Sequence, residues 1–342
     1  MSMQLPIIFR RAARYAILYL LAMLISGLLS ACGNNGGTSN ASDNHAAADH
    51  AKETAAETGT AAAVRTIQHA MGETQVPAEP KRVVILTNEG TEALLALGVK
   101  PVGAVQSWTG DPWYPHLKTS MEGVTVVGKE GEPNLEAIAA LKPDLIIGNK
   151  MRHEKIYEQL KAIAPAVYSE TLRGQWKENF KFYADVLNKK AEGDKVIADF
   201  DKRVETIRQK LGDKINTKVS VVRFMAGDTR IYYKDTFSGI ILDQIGLKRP
   251  DSQNKNEFAA TKVSKERIPE MDGDIIFYFT YETGNGEASK LEQQWTNDPL
   301  WKNLSAVKAG KAYRVDDAIW NTAGGVIAAN LMLDDLQKKF GI

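Results

Sequence analysis

The sequence predicts an α/β protein of two lobes, each built on a mostly parallel sheet, joined by a single long helix. Three observations carry this. Residues 188–211 place Val196, Ile197, Phe200, Val204, Ile207 and Leu211 at helical spacing with charges between them, a rod of roughly 33 Å at 1.5 Å per residue. On both sides of it, short β-branched runs alternate with helical patterns, as in parallel sheets covered on both faces. The two sides also echo each other. Leu94, Leu97, Gly98, Val99 and Lys100 recur as Leu242, Ile245, Gly246, Leu247 and Lys248, and Glu136, Ile138, Leu141, Asp144 and Ile146 as Glu266, Ile268, Met271, Asp274 and Ile276.

Taken in order, the chain opens with basic residues to Arg14, an apolar run over 15–29, then small residues, the layout of a secretory signal rather than a membrane span. Cys32, the only cysteine, follows Leu29, Ser30 and Ala31. This resembles the lipobox of bacterial lipoproteins, which implies removal of residues 1–31 and lipidation of Cys32. With Arg10, Arg11 and Arg14 gone, the remainder carries 40 basic and 42 acidic residues, a net charge of −2, which argues against a nucleic-acid partner. No disulfide is then available, so stability must come from the core. Residues 32–65 are Gly, Asn, Ser, Thr, Ala and Asp with few large apolar side chains, a tether spanning roughly 30 Å as a flexible coil. Its His45 and His50 read as solvated.

The first lobe is expected over 66–174, with strands at 82–86, 101–106, 144–148 and 166–170 and helices at 90–97, 135–141 and 154–162. A helical run holding Trp176, Phe180, Tyr183 and Leu187 follows, out of phase with the long helix, so 175–212 is read as a broken helical link with Asn188 as the second N-cap. The second lobe, 213–342, repeats the plan, with strands at 218–224, 274–280 and 312–316 and helices at 240–245, 264–271 and 324–340. A rigid link leaves the lobes facing across a cleft, and ligands of open α/β sheets sit at the carboxyl ends of strands.

Together with the lipobox, the paired glutamates Glu136 and Glu266 and the linking helix, the stretches NLEAIAALKPDLII at 134–147 and DPLWKNL at 298–304 resemble the iron-siderophore branch of the substrate-binding proteins of bacterial ABC importers. The resemblance covers nearly everything from Thr66 on. It implies two Rossmann-like lobes on a helical backbone, capture of a ferric chelate outside the cytoplasm, and delivery to a permease dimer with its ATPase subunits. It implies a monomer held on the membrane through Cys32, with neither catalysis nor a resident cofactor. It also implies a role for Glu136 and Glu266 as exposed carboxylates, one per lobe, that meet permease arginines. Singly, each glutamate is also explained by its place in the first turn of a helix, where the dipole favours an acid.

Strand ends nominate Trp108, Arg152, Arg173, Arg223, Tyr281, Trp320 and Asn321 for the cleft. Guanidinium forks suit carboxylate or hydroxamate oxygens, and indoles offer flat packing faces. Trp113 competes with Trp108, and the turn after Trp320 leads into a helix whose first amides would suit an anion. No side chain need touch iron already wrapped in a chelator's oxygens. Three arginines favour a hydroxamate or citrate-hydroxamate chelate over a purely carboxylate one. Cobalamin or haem in the same fold is the alternative. A dinucleotide oxidoreductase is a distant one, because Gly284, Asn285 and Gly286 begin a glycine pattern that lacks its third glycine. Outside the tether only His69, His116 and His153 are present, too few for a protein that ligates a bare metal ion.

Overall fold

The computed structural model describes residues 63–342, so the signal segment, Cys32 and nearly all of the tether lie outside the described residues. The described residues open with a hairpin the sequence reading did not resolve, β1 (Val64–His69) paired antiparallel with β2 (Gly72–Pro77). It pads the edge of the first sheet: Ala70 N–H donates to Tyr168 O at 3.0 Å and Thr74 Oγ1 to Ala166 O at 3.1 Å. Covering an edge strand removes a template for unwanted pairing.

The first sheet contains β3 (Val83–Ile85), β4 (Gly103–Gln106), β5 (Thr125–Lys129), β6 (Glu132–Pro133), β7 (Leu145–Asn149) and β8 (Ala166–Ser169), in the order β6-β5-β4-β3-β7-β8. All neighbours are parallel except β5 and β6. Its helices are α1 (Asn88–Ala96), α2 (Leu135–Ala140), α3 (Lys150–His153) and α4 (Tyr157–Lys161). Two further helices, α5 (Trp176–Val186) and α6 (Lys190–Leu211), lead to the second sheet. That sheet holds β9 (Val219–Met225), β10 (Asp228–Tyr232), β11 (Ala259–Ala260), β12 (Ile275–Tyr281) and β13 (Ala312–Arg314), in the order β11-β10-β9-β12-β13. Around it run α7 (Phe237–Ile245), α8 (Glu287–Thr296), α9 (Pro299–Lys302), α10 (Ser305–Lys308) and α11 (Val326–Phe340). Among the described residues no helix is long and apolar enough to cross a membrane.

The internal echo has a structural counterpart. Thr87 and Thr236 cap α1 and α7 by accepting from Gly90 N and Gly239 N at 3.1 and 3.0 Å. Gly98 and Gly246 end those helices at φ 72° and 94°, where only glycine turns without strain. Asp144 accepts from Lys81 N and Arg82 N, and Asp274 from Lys218 N, each tying one strand's start to its neighbour. The echo is incomplete. Ala226 and Gly227 alone connect β9 to β10, and so short a connection forces an antiparallel hairpin, making the second sheet mixed. The helix expected at 264–271 is a 3₁₀ segment, Lys265–Met271, with Pro269 inside it.

The link breaks where expected, with different chemistry. Asn188 lies at φ 57° and ends α5, and the following Lys189 N–H returns to Ala184 O at 2.7 Å. Asparagine tolerates this left-handed position. Lys189, not Asn188, is therefore the N-cap of α6. Ile197, Phe200, Val204, Ile207 and Leu211 are buried along α6, while Val196 is only partly so.

Nor is α6 the only tie between the sheets. One apolar core runs from Ile85 and Leu94 through Trp176 and Phe200 to Val221, Phe277 and Met332. Within it α11 returns to pack on α1 and α6. Glu92 of α1, fully buried, accepts from Ala328 N in the first turn of α11 at 2.8 Å, and its other oxygen lies 2.7 Å from His116 Nε2. A Cβ on Gly325 would meet the Glu92 Cβ at 2.6 Å, so this crossing demands glycine.

Candidate ligand cleft

Between the sheets lies a cleft of about 400 Å³, walled on the first-sheet side by residues just beyond the carboxyl ends of strands. β3 leads to Glu89, β4 to Trp108, β5 to Glu130, β7 to Met151 and Arg152, and β8 to Leu172 and Arg173. Across from them stand Arg223 and Met225 of β9, Arg230 and Tyr232 of β10, Tyr281 at the end of β12, Phe258 on a loop and Asn321 in the helical turn Ala318–Thr322. A second space of about 500 Å³ adjoins it and shares Trp108, Glu130 and Tyr281.

Each cleft arginine is already engaged. Arg223, 6% exposed, makes a fork with Asp317, Nε to Oδ1 at 2.7 Å and Nη2 to Oδ2 at 3.1 Å. Its Nη1 donates to the Tyr232 hydroxyl at 3.1 Å, and the guanidinium lies 4.8 Å from the Tyr281 ring centre. Burial disfavours charge on both partners. At Arg223 the nearby Tyr232 and Asp317 outweigh it and hold the proton above the ordinary arginine range, whereas at Asp317 burial prevails over Arg223 and raises the carboxyl. The parallel two-bond geometry is that of an ion pair. Arg152 donates through Nε to Glu130 Oε1 at 3.2 Å and lies 5.8 Å from the Trp108 ring centre. Arg230 pairs with Asp228 at 2.7 Å. Arg173, at φ 85°, reaches across the cleft to within 4.0 Å of Asp235 and 4.7 Å of the Phe258 ring centre, and Arg230 approaches the same ring at 5.9 Å. A non-glycine residue at such a φ is strained backbone at a functional wall.

Glu130 is set by its surroundings. Asn88 N–H and side-chain amide donate to its Oε2 at 2.9 and 3.0 Å. His153, buried, accepts from Asn149 N–H at Nδ1 and so carries its proton on Nε2, which donates to the Glu130 carbonyl at 2.7 Å. Burial lowers the affinity of His153 for a second proton, although the Glu130 carbonyl pulls the other way. Gly128, at φ 99°, has no room for a Cβ, which would come within 2.6 Å of Glu132 O.

Of the residues nominated by sequence, Trp108, Arg152, Arg173, Arg223, Tyr281 and Asn321 all line the cleft. Trp320 does not. It has no exposed surface, lies with its ring centre 4.4 Å from that of Phe277, and donates Nε1–H to Asp335 at 2.9 Å. The five residues Ala318–Thr322 form a π-helical turn that sends the indole inward and leaves Asn321 at the cleft. Of the first amides of α11, which the sequence suggested for an anion, Ala328 N–H is already taken by Glu92. Trp113 is in the core, which leaves Trp108 at the wall. Sequence reasoning missed Glu89, Glu130, Arg230 and Phe258. Glycines at 128 and 131 around Glu130 and the Ala226-Gly227-Asp228 turn before Arg230 were the available signals.

Glu136 and Glu266 are exposed, each the second residue of its helical segment, and are not among the cleft residues. The partial glycine pattern is a loop organised by Glu282, whose carboxylate accepts from Gly284 N, Gly286 N, Ser289 N and Ser289 Oγ. The Ser289 amide and hydroxyl lead in pulling its pKa down to about 2. Amides that a cofactor phosphate would need are thus already spoken for. Among the described residues no three His, Cys, Asp or Glu side chains are grouped to hold a metal ion.

Two α/β lobes around an arginine-rich interlobe cleft define a substrate-binding protein, and the chain belongs to the periplasmic binding protein family, whose model matches residues 83–319. It is a binding protein and not an enzyme. It is 60% identical over 284 residues to the probable siderophore-binding lipoprotein YfiY of Bacillus subtilis, covering 81% of this chain and 87% of that one. It is 29% identical over 335 residues to the putative ABC transporter substrate-binding lipoprotein YhfQ of the same organism, covering 94% and 97%. Among solved structures, Staphylococcus aureus SirA complexed with staphyloferrin B superimposes with a TM-score of 0.75 at 38% identity, covering 81% of this chain and 99% of that one.

Proposed function

We propose that this protein is the extracytoplasmic receptor of an ABC importer and captures a ferric siderophore of hydroxamate or citrate-hydroxamate type in the interlobe cleft. The observation that carries the reading is the wall itself: four arginines, two from each sheet, interleaved with Trp108, Tyr281 and Phe258. Such a wall receives anionic oxygens on an apolar framework. The name of YfiY, a probable siderophore-binding lipoprotein, supports a siderophore as the ligand. Because every cleft arginine has an internal carboxylate within 4.0 Å, the wall offers little net positive charge, which favours a weakly anionic chelate over a polyanion.

The remaining expectations belong to the same proposal. Residues 1–31 are the signal, Cys32 carries the lipid, 32–65 tether the lobes 66–174 and 213–342 with their link 175–212, and the protein works as a monomer on the outer side of the membrane. Glu136 and Glu266 dock the permease dimer. The test is quenching of tryptophan fluorescence in the purified protein, titrated with ferric hydroxamate, citrate-hydroxamate, carboxylate and catecholate chelates, haem and cobalamin. Sub-micromolar saturation by a hydroxamate or citrate-hydroxamate chelate is expected. A response to haem or cobalamin alone would overturn the ligand.

A further inference from the structure

Three carboxylates surround the first turn of α1, and two have all their oxygens occupied: Glu130 by Asn88 and Arg152, and Glu92 by His116 and Ala328 N–H. Glu89 differs. It is the second residue of α1, 6% exposed, and faces the cleft, and its Oε1 has no hydrogen-bond partner. Among the described residues no lysine, arginine or histidine stands within 4 Å of it, since each cleft arginine sits on another acid. A buried carboxylate with no cation beside it and one oxygen without a donor is costly, and such a group stays neutral instead.

We propose that Glu89 is a specificity-determining residue of the cleft, a neutral carboxylic acid whose O–H donates a hydrogen bond to an anionic oxygen of the bound chelate. The inference rests on the ligand reading above. A neutral acid presents a donor without adding positive charge, as an amide or hydroxyl would, and here it complements guanidinium groups already neutralised by their own partners. Binding moves no proton: the O–H stays on Glu89 and the chelate oxygen accepts. The groups facing Glu89 agree with this state. Burial is the main cause that pushes its carboxyl well above the usual range; the Asn179 amide opposes, while Glu130 of the β5–β6 turn, Glu92 of the same helix and Glu178 of α5 add to it. Tyr183 of α5, itself raised by burial and by Glu89, stays protonated, and Gly325 ahead of α11 packs on the Glu89 backbone without charge.

Two readouts test this. Without ligand, infrared difference spectra of the full protein against Glu89→Gln at neutral pH should show the carbonyl stretch of a protonated carboxylic acid that the variant lacks; a carboxylate band instead overturns the proposal. With the ferric complex of a citrate dihydroxamate, wild-type affinity should fall as pH rises through the Glu89 titration. Glu89→Gln, which keeps a neutral donor, should bind within about threefold of wild type and lose that pH dependence, while Glu89→Ala should bind on the order of tenfold more weakly. Wild-type affinity in Glu89→Ala, or a pH slope that persists in Glu89→Gln, overturns it. Failure of every ferric chelate to bind the wild type strikes the ligand reading instead, with the acid's protonation still decided by the spectra.

Discussion

Replacing Asp317 with alanine separates two views of Arg223, as a free ligand-binding arginine or as one half of a desolvated pair. Both partners are 6% exposed and share two charge-assisted bonds, and Asp317 Oδ2 also accepts from Thr322 Oγ1 at 2.9 Å. Breaking a buried pair by removing one partner costs about 3–5 kcal/mol because the other charge stays buried. Arg223 would retain the Tyr232 hydroxyl and the Tyr281 ring, which places Asp317→Ala near the low end, about 3 kcal/mol. At roughly 2–4 °C per kcal/mol for a domain of this size, the melting temperature should fall on the order of 10 °C. The assay is urea and thermal unfolding followed by circular dichroism, with an unchanged urea m-value confirming that the same transition is compared. Asp235→Ala is the internal control: Arg173 and Asp235 are about half exposed and 4.0 Å apart, and that loss should stay below about 1 kcal/mol. A loss below about 1 kcal/mol for Asp317→Ala as well would refute the reasoning and return Arg223 to the role the sequence assigned it.

Two other substitutions sort structural from functional residues. Trp320→Ala should cost about 3–5 kcal/mol of stability, as for other buried aromatics, while the folded fraction keeps its chelate affinity within about threefold; unfolding and fluorescence titration of the same preparation check both halves. Glu136→Ala and Glu266→Ala should leave chelate affinity intact and abolish uptake by cells, and weakened binding by the isolated variants would remove the docking role.

Much of the layout was legible because it follows from local periodicity. The strands ending at Ile85, Asn149, Ser169 and Tyr281 are runs of β-branched and aromatic residues, and once they are placed, the residues just after them fall at the carboxyl edge of the sheet. Tertiary partners were not legible. Trp320 follows a strand as Trp108 does, but a π turn and the ring of Phe277 decide that it points inward, and no spacing rule encodes either. Arg223 was placed correctly by its strand, yet its neutralisation depends on Asp317, 94 residues away in sequence. Glu130 follows, and Arg230 sits on, a short strand whose apolar signal is only a few residues long.

Those same partners say how the cleft must accommodate a ligand. A hinge that swung the lobes widely would have to open the core running through Trp176, Phe200, Phe237 and Met332, each almost fully buried, at about 1.5–3 kcal/mol per large side chain exposed. It would also strip Glu92 from the first turn of α11, leaving a buried carboxylate short of a donor. A few such losses exceed the few kcal/mol that separate the conformations of a working two-state protein. The cheaper adjustment is local. The side chains of Arg152 and Arg173 are 42% and 46% exposed, and Met151 is 47% exposed. They can exchange Glu130, Asp235 and solvent for chelate oxygens and carbon without disturbing the core, whereas Arg223 and Glu89 are fixed by burial. Selectivity then resides in the fixed pair, which presents one donor-rich cation and one neutral acid at set positions, and the mobile arginines supply the attraction that any anionic chelate would feel.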